Sequence, residues 1–188
     1  DDAAETCRRA HELAGQVGRS EVAFSALYWP AATLRDSGAF ASSETALSRA
    51  LDVCERAGLI AQSIESIACR AVTLALGDRR DAAHEAAVEA ERLAERLHYP
   101  VGRAFTTEAR GATDPDPESG TAALAKARDA WNELGRPIDA ARCELLRGNR
   151  LLESDEAAAA VALEAVASSF DELGVAHLAE RAHALVGR

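Results

Sequence analysis

Five short segments of this 188-residue chain end alike, and their spacing constrains the fold more than any other feature. HELAGQVG closes at Gly18, DVCERAG at Gly58, ERLAERLH at His98, DAWNELG at Gly135 and SSFDELG at Gly174. The intervals are 40, 40, 37 and 39 residues, each the length of one helical hairpin. Self-similarity at such a period marks an array of stacked units. Four residues before the markers stand Ala14, Cys54, Ala94, Trp131 and Phe170. Eight before stand Ala10, Ala50, Ala90, Ala127 and Val166, and eleven before stand Cys7, Leu47, Ala87, Leu124 and Leu163. Offsets of 4, 8 and 11 trace one stripe on a helix, apolar in every copy, which is the expected seam between helices.

Composition agrees with helices and argues against a sheet. Hydrophobic residues make up 48% of the chain, nearly half of them alanine, and aromatic residues only 4%. Alanine is the best helix former, and the β-branched and aromatic residues that strands favour are scarce. The glycine markers suit the left-handed position just past a helix end. Pro100 and Pro137 follow markers, where a helix's first turn tolerates proline. Asp116 before Pro117 reads as an N-cap, closing a break over 113–117. The expected helices cover 3–15, 19–36, 40–57, 60–76, 80–97, 100–111, 117–134, 137–152, 155–173 and 175–186. The fold class read from this pattern is all-α: an α-solenoid of about five antiparallel hairpins, with repeats of about 37–40 residues, forming a single domain over 1–188. One rule is broken: Pro30 lies inside 22–35 and is expected to kink or split that helix after Trp29.

The formal charge of −10 disfavours nucleic-acid phosphates, so direct nucleic-acid binding by this segment is not expected. No apolar run approaches the length of a membrane span and no secretion signal is visible, so a cytoplasmic location is expected. The chain starts at Asp1 and contains no Met, which reads as a fragment of a longer protein. Cys7, Cys54, Cys69 and Cys143 form no C-x-x-C pair and read as buried thiols. Phosphate-binding loops are absent, and His11-Glu12 lacks the second histidine of H-E-x-x-H. His177 and His183 are six apart, on different helix faces, while His84 and His98 read as solvated or capping residues. No catalytic residue, cofactor site or metal site is expected, and the chain is not read as an enzyme.

Two features are candidates for partner binding. Twelve residues after successive markers come Arg70, Arg110 and Arg147, which would form a ladder along stacked repeats. On a concave face they would hold an acidic peptide or anionic effector, whereas pairing with nearby Glu would make them structural. Phe24, Tyr28 and Trp29 cluster around Pro30, either filling the core at a strained junction, the favoured reading, or presenting an aromatic patch to a partner.

Hairpins of about 40 residues with alanine-rich seams resemble tetratricopeptide-like repeats. The stretch AWNELGRPIDAARCELLRGNRLL, followed by SSFDELGVAHLAERAHAL, is similar to the helical-repeat region of large LuxR-type bacterial regulators of the maltose-activator class. The likeness covers residues 80–188 well and the first 80 loosely. It implies a non-catalytic protein-interaction or effector-sensing domain, with a nucleotide-binding module upstream and a DNA-binding helix-turn-helix downstream. The partner would be a protein or peptide, regulatory domains of the same polypeptide, or a small-molecule effector. The alternatives are a stand-alone tetratricopeptide-like scaffold and a small-molecule sensor domain. An open concave groove would favour peptide or protein recognition, and a compact cavity ringed by arginine would favour a sensor.

Overall fold

The structure, a computed structural model, describes residues 2–186. Among these residues it is all-helical: α1 (Asp2–Gln16), α2 (Ser20–Asp36), α3 (Phe40–Ala57), α4 (Ile60–Leu76), α5 (Arg80–Leu97), α6 (Pro100–Thr113), α7 (Pro117–Glu133), α8 (Pro137–Leu151), α9 (Glu156–Glu172) and α10 (Ala176–Val186). Every helix packs against the next in sequence through a short connection, so the chain forms an α-solenoid of helical hairpins. Even-numbered helices also touch one another, most closely α4 and α6. Among the described residues, no helix is long and apolar enough to cross a membrane.

Local chemistry explains the helix ends. The five markers take left-handed backbone, from φ 49° at His98 to φ 72° at Gly174. Beyond Gly58, Leu59 N–H bonds back to the Cys54 carbonyl at 2.9 Å, and Arg136 and Val175 bond likewise to Trp131 and Phe170. These are Schellman closures, which satisfy carbonyls that a helix end leaves free. Their acceptors are the stripe residues four before each marker, so the stop signal and the packing seam share a residue. Asp116 caps α7 as expected, accepting from Ser119 N–H at 3.0 Å, and Asp155 caps α9 through Ala158 N–H at 3.0 Å.

The seam is buried in four of the five copies. Leu47, Ala50, Ala90, Leu124, Ala127, Trp131, Leu163 and Phe170 are all 0–1% exposed. Only α1, at the end of the array, leaves its stripe residues Cys7 and Ala10 half-exposed. Facing the seam, the twelfth residue of each of α2, α4, α6 and α8 is small: Ala31, Ala71, Gly111 and Gly148. All four are buried. A Cβ on Gly148 would lie 2.7 Å from Leu163, and one on Gly111 would lie 2.7 Å from Leu124 Cγ and 2.9 Å from the Gly120 carbonyl. These residues are the points where an even helix crosses the next odd one, and they let the backbones come close.

Of the two outcomes expected at Pro30, a kink or a split, the split does not occur: α2 runs unbroken from Ser20 to Asp36. The proline costs about 3 kcal/mol. Burying Phe24 and Leu27 returns about 1.5–3 kcal/mol each, and Tyr28 adds to it, so packing outweighs the lost hydrogen bond. The close helix approaches also wind the array tightly. Arg181 of α10 donates to the carbonyls of Arg35 and Asp36 at the end of α2, at 3.0 and 2.7 Å. The last helix therefore meets the first hairpin.

Gly111→Ala is expected to destabilise the fold by about 1–3 kcal/mol, because its Cβ meets backbone atoms that cannot move aside. The helix-propensity gain of roughly 1 kcal/mol does not offset this. Gly15→Ala, with nothing within 4 Å, is expected to stabilise by up to about 1 kcal/mol. Urea denaturation of the two variants checks the contrast.

Candidate functional site

The inner face of the winding is built by the even helices, and it is filled rather than hollow. Tyr28 of α2 stacks on Phe24 at 5.3 Å and meets Phe105 of α6 edge-on at 6.4 Å. Phe105 in turn meets Trp131 of α7 at 4.8 Å. All four rings are buried. Beside them lies a charged network that the sequence reading missed. Glu108, 2% exposed, accepts from Trp131 Nε1 at 3.0 Å and from Arg142 Nε at 3.2 Å. Arg142 also donates to Asp139, which pairs with Arg136 at 2.6 Å. The Arg136 guanidinium lies over the Trp131 ring, 4.7 Å from its centre. Arg35, also 2% exposed, donates to Asp36 at 2.8 Å and to Cys69 Sγ at 3.3 Å.

Three arginines thus balance three carboxylates. Burial opposes the charge on Arg142, but Glu108 and Asp139 outweigh it and raise its pKa, so it stays ionised. Burial pushes the thiols of Cys69 and Cys143 up, away from the nucleophilic thiolate, and does the same to the Tyr28 hydroxyl. A clue to this network is present in the repeat alignment. The ninth residue of the even helices is Tyr28, Ala68, Glu108 and Leu145, so Glu108 stands in an otherwise apolar inward position.

The residues singled out from the sequence are dispersed. Arg70, Arg110 and Arg147 are each the eleventh residue of α4, α6 and α8, next to the helix crossings. Each pairs with a glutamate: Arg70 with Glu44 at 3.4 Å, Arg110 with Glu91 at 3.7 Å, Arg147 with Glu144 at 3.3 Å. Of the three, Arg147 borders an open alanine-floored groove between α8 and α9. Phe24 and Tyr28 belong to the core, while Trp29 is 55% exposed. Cys54, Cys69 and Cys143 are buried, and Cys7 is half-buried. Among the described residues, no three His, Cys, Asp or Glu side chains gather to hold a metal ion.

Beyond the filled face, a cavity of about 590 Å³ opens where α4, α6 and α8 end and α5 begins. Its existence follows from helix length. α6 has 14 residues and α8 has 15, against 17 in α2 and α4, which leaves a gap at this end of the stack. Ala75, Leu76, Ala112 and Leu146 form its apolar part. Arg150 donates to the carbonyls of Ala112 and Asp114, at 3.3 and 2.7 Å, closing the end of α6. Arg80 reaches across to Glu153 at 3.3 Å. The shortened repeat interval of 37 residues, from His98 to Gly135, was the sequence trace of this gap.

Comparison with family models, with curated proteins and with solved structures finds no match for this chain.

Two outcomes are expected. Glu108→Gln removes a buried counter-charge from Arg142 and should cost about 3–5 kcal/mol in urea denaturation. A second concerns Glu65, half-buried on α4, which accepts from Tyr99 Oη at 2.7 Å. Burial raises the Glu65 pKa, and the Tyr99 hydrogen bond only partly offsets it. A carboxyl raised on folding adds stability while protonated and loses it as pH rises through the raised value. Glu65→Gln is therefore expected to be more stable than the parent at pH 7, with the difference fading below the ordinary carboxylate range. Denaturation series at pH 7 and pH 4 test the sign.

Proposed function

We propose that this chain is the non-catalytic, effector-sensing helical-repeat domain of a cytoplasmic bacterial transcriptional regulator of the LuxR type. The observation that carries the sensing half is the contrast between the filled inner face and the end cavity. Aromatic rings and balanced charges occupy the surface on which an open solenoid would hold a peptide. The roughly 590 Å³ at the helix ends, edged by Arg80 and Arg150, instead has the size of a small-molecule site. The regulator half rests on the likeness of 80–188 to the repeat region of those proteins. Effector binding at the ends of α4, α6 and α8 would alter how hairpins stack, and a stack passes such a change to its neighbours.

A second reading, the stand-alone scaffold, draws on exposed apolar residues of the first hairpin. Trp29 is 55% exposed and Val17 69% exposed, apolar side chains open to another protein. The reading frame on both sides of codons 1–188 decides between them. A nucleotide-binding module upstream and a helix-turn-helix soon after Arg188 are expected for the regulator. A frame that stops at Arg188 without an upstream ATPase would overturn the regulator reading in favour of the scaffold.

A further inference from the structure

The first hairpin leaves open two faces that the later hairpins cover, and the repeat register shows what covers them. On α2 the third, seventh and tenth residues are Val22, Ala26 and Trp29, one stripe at helical spacing. Val22 is 46% exposed, Trp29 is 55% exposed and Ala26 is half-buried. The same positions of α6 (Gly102, Thr106, Ala109) and of α8 (Asp139, Cys143, Leu146) are all buried. In α4, Ser66 and Cys69 are buried as well. The preceding even helix covers them. Arg35 of α2 donates to Cys69 Sγ at 3.3 Å, and Ile64 of α4 lies 3.4 Å from where a Cβ on Gly102 would stand.

The stripe of α1 repeats the pattern. Cys7 and Ala10 are half-exposed, whereas Leu47 and Ala50, in the same register of α3, are fully buried. Leu124 and Leu163 share the register of Cys7, and they are the residues that Gly111 and Gly148 of the preceding even helix approach. One helix closes both kinds of face at once, as α4 does by packing on α5 and α6 together. A hairpin that caps an array has a polar outer face. Here Cys7, Ala10, Val22, Ala26 and Trp29 carry no charge in a chain of net charge −10.

We infer that the groove between α1 and α2 holds one more helix of the same array, the second helix of a hairpin that precedes α1 in the parent polypeptide. It crosses α1 at Cys7 with a small residue and lays an uncharged face on Val22, Ala26 and Trp29. The connections from α2, α4, α6 and α8 to the next helix are three or four residues long, so a helix seated here runs directly into α1. A second copy of this chain does not supply the match. Its last even helix, α10, has exposed Glu180 as its fifth residue, where α4 has the buried Ile64 that faces Gly102. This interface goes beyond the effector-sensing reading and stands without it.

Two measurements test it. The coding frame upstream of Asp1 is expected to carry a further glycine or histidine marker 37–40 residues before Gly18, with apolar residues 4, 8 and 11 before it, and an alanine or glycine 37–40 residues before Ala31. Acrylamide quenching then compares the 188-residue chain with one lengthened by that upstream interval. The chain has two tryptophans and Trp131 is 0% exposed, so quenching reports Trp29. It is expected to fall several-fold in the longer chain. Trp29→Gln is expected to lower the urea midpoint of the longer chain more than that of the shorter one. An upstream frame without the marker and the small residue overturns the proposal. Undiminished quenching, equal shifts of the two midpoints, or a longer chain with no more helix by circular dichroism than the shorter one overturn it too. So does a 188-residue chain whose mass doubles and whose Trp29 becomes protected as concentration rises, which makes a second copy the occupant. None of these outcomes alters the end cavity, so the effector-sensing reading survives them.

Discussion

The close crossing of helices at small side chains is the constraint from which the rest of this structure follows. Ala31, Ala71, Gly111 and Gly148 stand where even helices meet the seam of the next odd helix, and at Gly111 and Gly148 there is no room for a Cβ. Close crossings wind the array tightly enough for Arg181 to reach the end of α2. Tight winding brings the even helices together on the inside, so their inward side chains fill that face. The arginine recurrence at 70, 110 and 147 belongs to the same geometry: each arginine flanks a crossing and reaches a neighbouring glutamate.

A crowded interior made partly of charge is stable only when every charge has a partner. Glu108 meets this condition by serving Trp131 and Arg142 at once, linking α6 to α7 and α8. Arg136 covers the ring of Trp131 and continues the link through Asp139. This network specifies how three consecutive helices sit on one another, whereas an alanine seam alone tolerates sliding. It also fills the inner surface of the array, so open space remains at the helix ends, where two short helices stop.

Much of the architecture was legible because its signals are local. Helix limits agree within a few residues since left-handed markers, prolines at first turns and the Asp116 cap act on their own neighbours. The stripe at offsets 4, 8 and 11 was readable because burial of a helix face imposes its own period. The split at Pro30 does not occur because tertiary packing overrides the local rule: the burial of Phe24, Leu27 and Tyr28 holds α2 together through it. The candidate site was legible only in traces. Glu108 in an apolar register and the shortened interval between His98 and Gly135 were both visible, but neither names the partner it finds.

The sequence by itself determined the ten helices, their order and the faces they bury, because each depends on residues within a turn or a repeat. Tertiary structure alone decided how tightly the array winds, which charges pair inside it and where a cavity remains. Those outcomes join residues as far apart as Arg35 and Arg181, or Arg80 and Glu153. No helical period encodes them, because they depend on small crossing distances and helix lengths accumulated over the whole stack.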